Sequence, residues 1–378
     1  MTEADGGTHS SRTWLEVDLS AVVHNYRRAV ELASGSAVWP VVKADGYGLG
    51  AVEISSRLAA EGADGFCVAT VEEGIALRQG GVTQPVVVMA GFFPGQERLL
   101  ARWNLHTFLF RLSDAKRLTS ALAEDDRVGV FVKVDTGMAR LGCVFEEGVA
   151  ILEALENSNR VTVMGITSHL ACADALDNPE TRRQVDRFRR FLQHPVVKGH
   201  RLRNSLANSA GVMGWPESHF DWVRPGIMLY GGSPFFPDLL AAEAGLKPVV
   251  TWRSRVVQIQ PMPPLMPLGY GHAFTPKRPS RIAWLGVGYG DGYSRRLGNR
   301  ARVVADGARL PVVGRVCMDL TAVDVTDHPE VRVGSTACLL GSERMASVDI
   351  EELALLLDTI PYEIICDIGG RVERHYVG

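Results

Sequence analysis

Between residues 38 and 231 the chain alternates short β-branched runs with amphipathic stretches of helical length, and this alternation limits the fold more than any other feature. Strands are expected over 38–43, 65–70, 85–90, 106–110, 128–135, 161–170, 201–209 and 222–231. Helices are expected over 51–62, 71–79, 114–124, 146–157 and 180–193. Strands separated by helices pair in parallel through crossovers, and about eight such units in roughly 200–250 residues match a closed (β/α)8 barrel. An open doubly wound sheet has the same strand count and remains an alternative. Past residue 245 the texture changes. Strands over 251–260, 281–287, 302–304, 311–313, 320–325 and 337–340 follow one another without helices, punctuated by Pro261, Pro263, Pro264, Pro267 and Gly/Asp turns, with one helix near 349–357. The expected class is therefore α/β: a TIM-like barrel over 13–245, then a C-terminal mostly-β domain over 246–378. The strand at 13–17 fits either domain, and residues 1–12 read as a loose tail.

Composition removes several function classes. With 46% apolar and 22% charged residues, the chain is neither disordered nor fibrous. A formal net charge of −3 without a long basic run argues against a nucleic-acid binder. Apolar runs are strand-length, short of the roughly 20 residues of a membrane span. The polar N-terminus lacks the apolar core of a signal peptide, so a cytoplasmic location is expected. Cys67, Cys143, Cys172, Cys317, Cys338 and Cys366 are scattered without metal-ligand spacing and read mostly as small buried hydrophobes in a reducing compartment. No metal site is expected.

Barrel chemistry sits at the carboxyl ends of strands. Those positions carry Lys43, Lys133, the loop Asp135-Thr136-Gly137-Met138-Ala139-Arg140, then His169, Asn208-Ser209 and Arg224-Pro225-Gly226-Ile227. A lysine after an apolar run is partly desolvated, which lowers its pKa and makes it a nucleophile toward carbonyls. Arg140 and Arg224 supply fixed positive charge for an anionic ligand. Each has a plainer reading. A lone strand-end lysine is usually solvated, a lone histidine is more often structural, and Gly46, Gly48 and Gly50 serve a turn equally well. Asp135-Thr136-Gly137 matches an aspartic-protease tripeptide but has no second copy to share a proton. Gly286-Val287-Gly288-Tyr289-Gly290-Asp291-Gly292 lacks the spacing of a dinucleotide fingerprint.

Six segments in order resemble the alanine racemase family, whose members combine a (β/α)8 barrel with a C-terminal β domain and use pyridoxal 5'-phosphate. They are Val41-Val42-Lys43-Ala44-Asp45-Gly46-Tyr47-Gly48, Asp135 through Gly142, Arg224 through Gly231, Leu268-Gly269-Tyr270-Gly271, Gly288 through Tyr293, and Gly314-Arg315-Val316-Cys317-Met318-Asp319. The resemblance covers nearly the whole chain after the tail.

The resemblance implies that Lys43 holds the cofactor covalently and, once an amino acid displaces it, moves protons on one face of the α-carbon. Tyr270 is then the base on the opposite face, since racemisation needs a proton to leave one side and return on the other. The family tyrosine comes from a neighbouring subunit, which implies a homodimer with shared sites. By the same resemblance Arg224 meets the pyridine nitrogen, and His169 packs near the ring and braces Arg224. Tyr47, Asn208, Ser209, Gly226, Ile227 and Tyr289 complete the cofactor site. Arg140 and Met318 serve the substrate carboxylate, and Lys133 matches a position often carbamylated, where a new negative charge braces Arg140. Asp174, Arg295 and Ile368 match residues lining the substrate entrance. Gly370 stands where the family usually has a tyrosine, which implies room for amino acids larger than alanine, serine first, unless Tyr376 or Tyr293 fills the gap.

The leading expectation is thus an L/D-alanine racemase. A racemase of serine or another amino acid, a pyridoxal-phosphate decarboxylase of the same plan, and a non-catalytic cofactor carrier are the alternatives. Decarboxylases usually carry a Gly-rich phosphate loop, and the barrel here has no run of three glycines. Cys317-Met318-Asp319 faintly resembles their cysteine–aspartate pair.

Overall fold

Val86–Val88 is wholly β-branched and wholly buried, the signature of a parallel strand covered on both faces. It lies in a five-stranded parallel sheet of Phe66–Val68, Val86–Val88, His106–Leu109, Val128–Lys133 and Val161–Thr167, in sequence order. The computed structural model describes residues 10–378 and divides the chain into two units, Ser20–Lys247 and the chain ends, up to Leu19 and from Pro248 to Gly378.

In the Ser20–Lys247 unit the sheet closes on itself. Val42 N–H donates to Cys67 O, and Ala37–Val38 pairs in parallel with Trp222–Val223. The seventh position, residues 203–207, bonds to both neighbours without forming a regular strand. Arg203 and Ser205 N–H donate to Met164 and Ile166 O, while Asn204 and Ala207 O accept from Trp222 and Arg224 N–H. Its close approach needs Gly165, where a Cβ would overlap the Arg203 carbonyl. The fold is a (β/α)8 barrel. Helices Leu19–Ala33, Ala51–Ala60, Val71–Gln79, Leu112–Ala121, Phe145–Leu155 and Glu180–Leu192 follow successive strands; Leu19–Ala33 and the short Glu97–Arg102 are not among the expected elements.

Several expected strands end early, and the first and the eighth matter most for the site. The first leaves the ladder after Val42, and the eighth stops at Val223, because Pro225 lacks an N–H and the backbone then enters a 3-10 turn at Ile227–Tyr230. Aromatic rings fill the barrel below these ends. Phe131 meets Trp39, Phe108 and Trp222 with centroids 6.1, 6.1 and 5.1 Å away.

The other unit is a nine-stranded, almost entirely antiparallel sheet organised on the 13-residue strand Val250–Met262. One end of that strand pairs with Thr336–Glu343 and Thr13–Asp18, the other with Ser280–Leu285. Thr13–Asp18 also pairs in parallel with the final strand Glu373–Val377. The hairpin Arg302–Ala305 and Ala308–Pro311 turns on Asp306-Gly307, both at positive φ. This two-residue turn places the second strand before the expected 311–313. Helices Ile350–Leu357 and Pro361–Cys366 complete the unit.

Of the expected tail, residues 1–9 lie outside the described residues. Arg12 is not loose: its carbonyl accepts Arg255 N–H at 2.9 Å and its guanidinium pairs with Asp291 at 3.1 Å. Among the described residues no helix is long and apolar enough to cross a membrane.

Candidate active site

Lys43 opens a turn, Lys43–Tyr47, in which Ala44, Asp45, Gly46 and Tyr47 all have φ between 51° and 62°. This is a turn of left-handed helix. The Cβ of an L-residue crowds the following carbonyl there, at about 1–2 kcal/mol per residue, so Ala44, Asp45 and Tyr47 together cost about 3–6 kcal/mol. Strain of this size persists only where surrounding contacts hold it, and such places cluster at active sites. Here Gly46, Gly48 and Gly50 N–H donate to Val42, Ala44 and Asp45 O at 2.9, 2.7 and 2.9 Å. Asp45 Oδ1 accepts Ala51 N–H at 2.9 Å, and buried Tyr47 stacks on Tyr230 with centroids 4.4 Å apart. The Lys43 side chain leaves from the exposed start of this turn.

Arg140 is exposed on a loop wrapped around one carboxylate. Asp135 Oδ1 accepts Gly137 and Met138 N–H at 2.8 and 2.9 Å, and Oδ2 accepts Ala139 N–H at 2.9 Å. Behind the loop, Thr136 and Ser168 hydroxyls meet at 2.8 Å. Gln184 Nε2 donates to Thr136 Oγ1 and to the His169 carbonyl, which ties the ends of the fifth and sixth strands.

Arg224 is 3% exposed and has no carboxylate partner among the described residues. One terminal nitrogen donates to Thr167 Oγ1 and Ser205 Oγ, the other to the Ser168 and Leu206 carbonyls. Four of a guanidinium's five N–H groups are thereby used, and Nε–H is the donor left. Burial lowers the Arg224 pKa only to about 10, so it stays charged at neutral pH.

Two neighbours titrate abnormally. Lys133 falls from 10.5 to about 7, through burial first and then the charges of Arg224 and Arg140, against a smaller upward pull from Asp135. His169 lies well below its usual value, through burial and then Lys133, Arg224, Arg140 and Lys43, so its ring is neutral. Beside this cluster, Ser209 Oγ accepts Gly226 N–H at 2.8 Å, and a Cβ on Gly226 would overlap the Tyr47 hydroxyl. Asn208 caps the short helix Ser209–Gly214 through Gly211 N–H, and Ile227 is fully buried. Asp174 is exposed on the loop after the sixth strand.

In the β unit, Tyr270, Tyr289 and Met318 are large exposed side chains at 69, 42 and 54%. Two cross-links fix the loops of Tyr289 and Met318: Tyr289 N–H to Cys317 O at 3.0 Å and Gly290 N–H to Met318 O at 2.9 Å. Beneath them Asp291 is fully buried, accepting Gly288 N–H and pairing with Arg12 and Arg371. Arg371 also reaches Asp319 at 2.8 Å. Gly369 N–H donates to Asp291 O, which brings buried Ile368 and exposed Gly370 to the same place. Arg295 is exposed, close enough for its charge to act on the Cys317 thiol.

The barrel unit thus gathers Lys43, Lys133, Arg140, His169 and Arg224, and the β unit gathers Tyr289, Met318, Ile368 and Gly370. No role was expected for the neutral partners of Arg224, for Gln184 or Arg12, or for Asp291 within its matched segment. The only signals were the place of Thr167 near the end of an expected strand and of Asp291 inside a matched segment.

The alanine racemase N-terminal domain family matches residues 17–234, and the alanine racemase C-terminal domain family matches residues 249–376. The chain belongs to the alanine racemase family. An alanine racemase of Syntrophobacter fumaroxidans is 39% identical over 361 residues, 95% of this chain and 96% of the relative. The alanine racemase structure from D-cycloserine-producing Streptomyces lavendulae aligns with a TM-score of 0.91 at 32% identity, covering 98% of both chains. That from Bartonella henselae, which has covalently bound pyridoxal phosphate, aligns at 0.86 and 29% identity over 97% of this chain and all of that one.

Alanine racemases are isomerases that depend on pyridoxal phosphate, and the barrel residues fit that group. It is an anionic, planar molecule with one ring nitrogen that accepts a hydrogen bond. The barrel offers a cluster of cations with few anions and a buried Arg224 with one donor left. The hydroxyls of Tyr47 and Ser209 meet at Gly226, where only a bare Cα leaves room.

Proposed function

We propose that this chain interconverts the L and D enantiomers of alanine. The observation that carries the reading is the left-handed turn after Lys43, facing strand ends whose cations are buried without carboxylate partners. Pyridoxal phosphate, when bound, draws electrons from the amino acid's α-carbon and so acidifies its C–H.

Lys43 holds the cofactor through Nζ, and its freed amine then takes or returns the α-proton on one face. Tyr270 of the partner subunit holds the proton of the opposite face on its hydroxyl. The exposure of Tyr270, and of Leu265 and Met266 nearby on the same connection, supports its use by a second copy and hence a homodimer. Arg224, charged and with Nε–H as its remaining donor, would hold the cofactor's ring nitrogen without giving up its proton. Neutral His169 packs near the ring and braces Arg224. Tyr47, Ser209, Gly226 and Ile227, with Asn208 behind them, hold the phosphate with help from Tyr289. Arg140 and the Met318 N–H orient the substrate carboxylate. Lys133, once carbamylated, braces Arg140. Asp174, Arg295 and Ile368 line the entrance. Cysteines that are all free support a reducing, cytoplasmic setting.

Chiral analysis after incubating holoenzyme with single L-amino acids tests this reading. We expect D-alanine from wild type, none from Lys43→Ala, and slower turnover from Tyr270→Phe. Racemisation by Lys43→Ala would overturn the assignment, and release of CO2 would favour a decarboxylase.

A wider substrate range is a second reading, favoured by Gly370. A Cβ built there meets no atom of the described residues within 4 Å. Neither alternative tyrosine supports a filled gap: Tyr293 is buried against Trp252, and Tyr376 lies in strand register with Val17. Measurable kcat/KM for serine in wild type, falling relative to alanine in Gly370→Tyr, would support it. Strict alanine preference in both would rule it out.

A further inference from the structure

The left-handed turn that presents Lys43 is held from outside its own segment by the stack of Tyr47 on Tyr230 and by a side-chain anchor at its first strained residue, Ala44. The ladder between the first and second barrel strands ends at Val42 N–H to Cys67 O. Two residues on, Ala44 N–H meets no backbone carbonyl of the second strand. Glu73 meets it instead. Its Oε1 accepts Ala44 N–H at 2.8 Å, while Oε2 accepts Ala69 N–H at 2.6 Å and Thr70 N–H at 3.4 Å. Glu73 lies in the first turn of helix Val71–Gln79, where its N–H donates to Thr70 Oγ1 at 3.3 Å and completes a capping box. One carboxylate thus closes the helix cap and supplies the missing rung of the sheet. Only a group with two acceptor oxygens does both. Charge-assisted bonds from backbone amides are the stronger kind, and this one acts on the first of the strained residues.

We propose that Glu73 is a positioning residue for Lys43, holding the left-handed turn against the end of the second strand so that the Lys43 amine leaves the backbone in a fixed direction. The proposal rests on the reading of Lys43 as the cofactor lysine.

Glu73→Gln keeps size and the chance of one acceptor bond but not both, so either Ala44 or the cap loses its partner. Thr70→Ala weakens the cap alone and leaves the carboxylate in place. Two measurements separate the roles: hydrogen exchange of the segment 41–50 in cofactor-free protein, and pyridoxal-phosphate affinity from the absorbance of the bound group. We expect Glu73→Gln to speed exchange and weaken cofactor affinity by about fivefold each, the scale of one lost charge-assisted bond in partial solvent contact. Thr70→Ala should lower Tm while leaving both readouts within twofold of wild type. If Glu73→Gln fails to fold, Glu73→Asp keeps the charge, gives up the reach to Ala44, and should show the same pair of changes. Wild-type exchange and affinity in Glu73→Gln, or equal changes in Thr70→Ala, would overturn the proposal. Lys43→Ala run in parallel should lose the covalent absorbance band. Its persistence would overturn the cofactor-lysine reading, whatever Glu73 does.

Discussion

Lys133 Nζ lies over the ring of Phe108, 5.6 Å from its centroid, at the end of a strand whose last four side chains are all buried. The ring face favours a cation, yet burial and the charges of Arg224 and Arg140 outweigh it and bring the amine to about 7. A large share of Lys133 is therefore neutral at physiological pH, with a lone pair free to attack CO2. The Nζ–C bond forms, one N–H proton is released to solvent, and an anionic carbamate results. With isotope-labelled bicarbonate, carbon NMR should show one protein carbamate that Lys133→Met lacks. Its occupancy should rise as pH passes upward through about 7.

The same depressed pKa gives stability a pH dependence of definite sign. Between about 7 and 10.5 the unfolded chain keeps a proton on Lys133 that the folded chain has lost, so folded stability rises with pH across that window. Below about 7 both states are protonated and the cost of the buried charge is present in full. Tm measured without bicarbonate should climb with pH through this range, and Lys133→Met should flatten the climb. An unchanged slope in that variant would remove Lys133 as its source.

Arg224→Lys should destabilise the barrel although charge is conserved. An ammonium has three donors and no fork, against the four neutral acceptors that Arg224 satisfies from two nitrogens. At least one of them is left buried and unpaired, at about 1–3 kcal/mol. Denaturant titration of cofactor-free protein measures this directly, and a loss below about 0.5 kcal/mol would mean that water replaces the missing bond.

Asp291→Asn tests the other unit. Removing a buried carboxylate's charge from two arginines costs about 3–5 kcal/mol in a dry site. Arg12 and Arg371 are 40 and 44% exposed, so about 2 kcal/mol is expected here after screening. Because the Tyr289 and Met318 loops are crossed above Asp291, KM for alanine should rise more than kcat falls. A pure kcat effect would place the role of Asp291 elsewhere.

The sequence revealed the barrel through its period: a buried run such as Val86–Val88 can do little else between two amphipathic stretches. The boundaries it hid are those where backbone chemistry overrides pattern. Residues 38–43 read as one strand, but φ turns positive at Ala44 and no side-chain property of alanine announces that. Residues 201–209 carry only Leu202, Leu206 and Ala207 as apolar side chains, and their path is set by the bare Cα of Gly165 on the neighbouring strand. Asp306-Gly307 was a readable hairpin turn that the strand expectation at 311–313 passed over. Site residues with motifs around them were assigned expected roles by resemblance. Glu73, Thr167, Ser205 and Asp291 act through their distance to one atom, and one-dimensional spacing does not encode that distance.

The strand Thr13–Asp18 lies between Val250–Met262 and Glu373–Val377. Along the chain it precedes the whole barrel, its partner Val250–Met262 follows the barrel, and its other partner Glu373–Val377 is the final strand. Contacts so distant along the chain form slowly. During synthesis this segment is therefore without either of its sheet neighbours until the barrel has been made, and without the second until Glu373–Val377 follows.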